Sequence, residues 1–174
     1  YHKDKRSCNL STIGVTSFFP SKPLGCYGDG GACFTNDRFL ADKIRCISKH
    51  GQIKRYVHSE TGINGRLDPI QAAILLAKLP FFESEIKKRQ EVAQKYTSSF
   101  NSLGFYNTPK INKNNTSVYA QYTILIENRE YLQKQLKGEN IPTSVHYPMP
   151  LPDQPSLRKF KQYCPNTKKA SQEV

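Results

Sequence analysis

Lys22 stands between Pro20 and Pro23, and four glycines follow within the seven residues from Gly25 to Gly31. Proline fixes its own φ and biases the residue before it toward extended backbone, so Phe19 and Lys22 are extended and no helix can run through this stretch. The glycines permit positive φ and close backbone approach, which lets the chain bend sharply before a strand at Ala32-Cys33-Phe34-Thr35. Upstream, Thr12-Ile13-Gly14-Val15-Thr16 has the composition of a strand leading into the bend. Strand, lysine turn and strand in that order put one amine at a sheet edge. Phe18 and Phe19 are expected to wall that amine and partly desolvate it, which favours the neutral form that attacks a carbonyl. A solvated turn lysine is the alternative these residues leave open.

The rest of the chain alternates helices and short strands. Asn36 reads as the cap of a helix through Ser48, with Leu40, Ile44 and Ile47 on one face and Gly51 as terminator. Asp68-Pro69-Ile70-Gln71 reads as a second start, with Asp as cap, Pro at the first position and Gln at the third. Ala72, Ala73, Leu75, Leu76 and Leu79 then make a helix apolar over most of its girth, which requires burial by a core or a second subunit. From Phe81 to about Gly104, a longer amphipathic helix carries Phe82, Ile86, Ala93, Tyr96 and Phe100 on one stripe. The alternation over 118–126 predicts a strand, Asn128 to Gly138 a short helix with Leu132 and Leu136 on one face, and 143–146 a returning strand. Four prolines between Pro148 and Pro155 force an extended loop, and a new helical pattern starts at Thr167.

Composition narrows the classes. No run approaches the roughly 20 apolar residues of a membrane span and no signal pattern is present, so a soluble, cytoplasmic chain without membrane partners is expected. The five cysteines lack CxxC pairing or zinc spacing, so neither a disulfide framework nor a metal site is indicated. A net charge of +12 invites a nucleic-acid reading. The basic residues form short separated clusters without a recognition helix or stacking platform, so no nucleic-acid partner is expected and an anionic ligand is the better explanation.

The string Ser17-Phe18-Phe19-Pro20-Ser21-Lys22-Pro23-Leu24-Gly25-Cys26-Tyr27-Gly28-Asp29-Gly30-Gly31-Ala32 closely resembles the cofactor-lysine segment of the DegT/DnrJ/EryC1/StrS sugar aminotransferases, which depend on pyridoxal phosphate. The stretch Thr61-Gly62-Ile63-Asn64-Gly65-Arg66-Leu67-Asp68 with Gln71-Ala72-Ala73 resembles the second motif of that family, and Val145-His146-Tyr147-Pro148 the third. The resemblance implies that Lys22 carries the cofactor covalently and later moves the proton between the α-carbon and the ring-side carbon. It implies Ser17 as a ligand of the cofactor phosphate and Asn64 as a ligand of the phosphate in the neighbouring subunit. Arg66, His146 and Tyr147 are implied as substrate contacts.

The fold implied is α/β, the C-terminal part of a fold-type-I transferase. Residues 1–80 would end the large cofactor-binding domain, and 81–174 would form the small domain with its linking helix. The substrates implied are a nucleotide-linked keto sugar and an amino donor such as glutamate, and the assembly a homodimer. In that family the acid facing the pyridine nitrogen precedes the lysine, so a chain carrying only this part is expected not to turn over alone. A non-catalytic remnant or interaction module of the same fold is the alternative.

Overall fold

A computed structural model describes residues 2–3, 5–160 and 162–174 of the chain. Two compact units divide it, Tyr1–Ala93 with Ile111–Ala120, and Gln94–Lys110 with Gln121–Val174.

In the first unit β1 (Gly14–Ser17) pairs antiparallel with β2 (Gly31–Phe34), Ser17 opposite Gly31 and Gly14 opposite Phe34. The lysine turn is the loop between them, as the proline and glycine spacing requires. α1 (Arg38–Ser48) follows, capped by Asp37, whose side chain accepts a hydrogen bond from Leu40 N at 3.1 Å. The cap is thus one residue later than the expected Asn36, whose Nδ2 instead donates to Asn9 Oδ1 at 3.0 Å. Gly51, at φ +69°, donates its N–H to Cys46 O at 2.9 Å and turns the chain out of the helix as expected. A short irregular pair, β3 (Gln52–Lys54) with β4 (Val57–His58), leads to a segment stitched to the end of α1 by Ile63 N to Ile47 O and Gly65 N to Ser48 O, both 2.9 Å. Those bonds carry Asn64 and Arg66.

α2 (Pro69–Lys78) starts at its proline as the sequence predicts, but Asp68 makes no side-chain cap bond; only its carbonyl closes the first turn, accepting Ala72 N at 3.0 Å. Of its apolar positions only Leu75 is buried, while Ile70 and Leu76 are 73% and 68% exposed. A one-turn 3-10 segment, Leu79–Phe81, links it to α3 (Phe82–Ser102), since Pro80 cannot continue an α-helical ladder. Glu83 and Glu85 in the first turn of α3 suit the positive end of its dipole, and Ile86 and Ala93 from its apolar stripe join Cys26 and Leu75 in the small core of this unit.

The second unit is built on an aromatic cluster at the end of α3. Tyr96, Phe100, Phe105 and Tyr122 pack ring to ring at centroid distances of 5.2–6.4 Å, and Thr97 Oγ1 shares a 2.8 Å hydrogen bond with Tyr122 OH. α4 (Arg129–Gly138) and α5 (Pro165–Glu173) complete it, with Arg129 Nη1 donating to Ser171 O and Val174 O at the end of α5. α5 begins at Pro165 rather than Thr167, because proline is well suited to a first turn.

Two expected strands do not form. Residues 118–126 and 143–146 belong to no ladder among the described residues; Leu125 N bonds Asn107 O and Ile126 N bonds Glu173 O, single links rather than a paired run. Alternating hydrophobicity prepares a face for a sheet, but a strand exists only where a neighbour completes its hydrogen bonds.

Candidate active site

The lysine turn is held at its base by backbone. Phe18 N donates to Gly30 O at 2.7 Å, Cys26 N to Phe18 O at 2.8 Å, and Lys22 N to Phe19 O at 2.9 Å. The glycines serve close approach here and not positive φ, which among the described glycines is found at Gly51 and Gly104. A Cβ on Gly25 would stand 2.7 Å from Pro20 O and 2.8 Å from Phe19 O, so only glycine lets the returning chain lie against the carbonyls of Phe19 and Pro20.

Lys22 and Ser17 line one cleft of about 1020 Å³, together with Phe18, Cys33, Arg6 and Arg45. Arg6 is paired with Glu83 at 3.1 Å and Arg45 with Asp42 at 2.9 Å, on the surface. Among the described residues nothing pairs with the Lys22 ammonium, and the side chain is exposed. The desolvating wall expected from Phe18 and Phe19 is therefore not built within this chain: Phe19 is itself 49% exposed. Ser17 Oγ accepts from Phe19 N at 3.2 Å, which leaves its own O–H available to donate.

The other expected site residues fall into two further pairs. Asn64 Oδ1 accepts from Arg66 Nε at 3.0 Å; both are exposed, and neither is in the lining of the cleft. In the second unit His146 Nδ1 lies 3.0 Å from Gln121 Nε2, and its ring meets that of Tyr147 edge-on at 5.3 Å. The structure thus brings Ser17 to Lys22, Asn64 to Arg66 and His146 to Tyr147.

These residues fit part of what pyridoxal phosphate demands. An accessible primary amine suits its aldehyde, and a hydroxyl donor with nearby guanidinium groups suits its phosphate. No Asp or Glu is among the described residues lining the cleft, so the carboxylate that faces the ring nitrogen in pyridoxal chemistry is not among them.

Three residues make contacts to the turn that the sequence does not signal. Cys26 is fully buried, its Sγ 3.0 Å from Phe18 O and 3.1 Å from Gly28 O. Gln71 and Lys78, both on α2, bond the backbone of the turn at Tyr27 and Gly25. Gln71 stands at the third position of α2, and its side chain accepts from Tyr27 N, a partner 44 residues away that no local pattern could signal.

No helix among the described residues is long and apolar enough to cross a membrane, and the five cysteines are free thiols. The family model of the DegT/DnrJ/EryC1/StrS aminotransferases matches residues 1–174. The chain is 57% identical, over 99% of its length, to the UDP-2-acetamido-2-deoxy-3-oxo-D-glucuronate aminotransferase of Pseudomonas aeruginosa, and spans 48% of that protein. It superposes on the crystal structure of a DegT DnrJ EryC1 StrS aminotransferase from Brucella abortus with a TM-score of 0.88 at 38% identity, covering 99% of this chain and 46% of that one. For S. venezuelae DesV in complex with a ketimine intermediate the TM-score is 0.92 at 30% identity, covering 98% and 47%. The chain spans about half the length of these relatives, and the expected α/β aminotransferase fold holds. With a matching family model over its whole length and the lysine turn in place, the chain belongs to the DegT/DnrJ/EryC1/StrS aminotransferase family.

Proposed function

We propose that this chain is the lysine-bearing part of a pyridoxal-phosphate-dependent aminotransferase that moves an amino group from a donor such as glutamate to a keto group on a nucleotide-linked sugar, in the cytoplasm. The observation that carries the reading is Lys22, an exposed and unpaired amine on a turn held by backbone hydrogen bonds, in the same cleft as the Ser17 hydroxyl. The 57% identity to an aminotransferase whose name specifies a UDP-linked oxo sugar supports the substrate class.

When bound, the cofactor supplies an aldehyde for a primary amine and a ring that accepts the electron pair released at the substrate α-carbon. Lys22 Nζ would hold that group and, once displaced, carry the proton. Ser17 would donate its O–H to the phosphate. Asn64 does not line the cleft of its own chain, which accords with a role toward the phosphate of a neighbouring subunit in a homodimer. Arg66 would bind anionic oxygens of the substrate, and His146 and Tyr147 would hydrogen-bond its sugar. Residues 1–80 would then close the large domain and 81–174 form the small one. The net charge of +12 favours such anionic ligands.

Trapping tests the reading directly. After incubation with pyridoxal phosphate and reduction with borohydride, peptide mapping is expected to find a phosphopyridoxyl group on Lys22, and to lose it in Lys22→Ala. Label spread over exposed lysines without preference for Lys22 would overturn the assignment. With glutamate and added cofactor the chain alone is expected not to transaminate, because the described lining of the cleft has no carboxylate. A second reading, a non-catalytic remnant or interaction module, draws on that same lining. Adding the complementary half of a full-length relative separates the two: restored turnover supports the enzyme, continued inertness the remnant.

A further inference from the structure

We propose that Gln71 and Lys78 are positioning residues that clamp the returning leg of the lysine turn and so fix where the Lys22 amine enters the cleft; this rests on the reading of Lys22 as the cofactor lysine. The two lie seven residues apart on α2, two helical turns, and therefore share a face. Tyr27 N donates to Gln71 Oε1 at 2.9 Å, and a backbone donor fixes which end of the amide faces the turn. Gly28 packs on the same amide, where a Cβ would stand 2.9 Å from Gln71 Nε2. Lys78 Nζ donates to Gly25 O at 2.6 Å and lies 4.9 Å from the centroid of the Tyr27 ring, adding a cation–π contact.

Four successive residues of the turn, Gly25 to Gly28, are thereby caught between the helix and the sheet. Cys26 N and Sγ point back to Phe18 O on the sheet side, while Gln71 and Lys78 hold Gly25 and Tyr27 on the helix side. Lys22 is the tip of a loop anchored on both legs. Neither Gln71 nor Lys78 lines the cleft, so both act through the turn and touch no ligand there. The arrangement also ties the second family motif to the first, because α2 begins directly after Asn64 and Arg66.

The test uses the full chain and two independent readouts: trapping of pyridoxal phosphate on Lys22, normalised to the other lysines, and amide hydrogen exchange at Cys26 and Tyr27, which needs no cofactor. Gln71→Leu and Lys78→Met are expected to lower Lys22 trapping about tenfold and to speed exchange at both amides by a similar factor, the size a lost hydrogen bond implies. Gln71→Glu, which keeps the acceptor, and Lys78→Arg, which keeps the donor and the stacking cation, are expected to restore both. Should Lys78→Met not fold, Lys78→Gln, which loses the charge and keeps a donor, is expected to shift both readouts in the same direction. Wild-type trapping and exchange in all the loss variants would overturn the clamp. Fast exchange in the variants of a chain whose native Lys22 takes no label would overturn the cofactor reading and leave the clamp as architecture alone.

Discussion

At Gly25 a single methyl group decides whether the lysine turn can close. Gly25→Ala would place a Cβ 2.7 Å from a backbone carbonyl that cannot swing away, so the substitution is expected to destabilise the first unit. Overpacking of this kind costs about 1–3 kcal/mol, read as a lower denaturant midpoint together with weaker trapping on Lys22. Asp42 offers a test of a different kind. Its hydrogen bond from Arg38, at 3.0 Å, holds the carboxyl below its ordinary value, helped by the charge of that residue and by Arg45. A group whose folded-state value is depressed stabilises the fold above its unfolded value, and that contribution is lost as pH falls through the folded one. The side chain is exposed, so α1 is expected to lose only a little stability in acid. An NMR titration should place the Asp42 midpoint below the usual aspartate range and return it toward that range in Arg38→Ala. At this scale the sequence revealed the extended, bounded setting of Lys22. It left undecided whether that lysine is walled or open to solvent, because the direction of Phe19 is set by packing that local rules do not encode.

Among the elements, α1 separates what pattern can and cannot resolve. Its span and stop were readable from Leu40, Ile44 and Gly51, while the cap moved one residue because adjacent Asn and Asp satisfy the same preference and only the backbone path decides which one reaches Leu40 N. Asp37→Ala is expected to cost about 1 kcal/mol of stability, and Asn36→Ala clearly less, measured by urea denaturation. α2 shows the opposite case. Its start at Pro69 follows from sequence alone, yet the work of Gln71 and Lys78 depends on a turn some 44 and 53 residues earlier in the chain. The segments over 118–126 and 143–146 have strand character and no ladder, since β structure is a property of a pair.

For the molecule as a whole, the balance between apolar content and burial carries the main consequence. Ile70, Leu76 and Leu79 of the α2 region are 73%, 68% and 51% exposed, although a helix this apolar calls for cover. The chain is therefore expected to self-associate in sedimentation experiments, and Leu76→Glu to shift it toward monomer; a monodisperse monomer at high concentration would count against dimerisation through this face. Order along the chain was enough for the local features: the break in helix potential at Pro20 and Pro23, the helix periods, and a family identity written in contiguous strings around Lys22 and Asn64. Everything that needs two distant segments at once came from the folded chain: the bonds from α2 to the turn, the buried thiol of Cys26, the openness of Lys22, and which apolar runs find partners. Short-range sterics and periodicity act through neighbours in the chain, whereas burial and hydrogen-bond pairing act through neighbours in space.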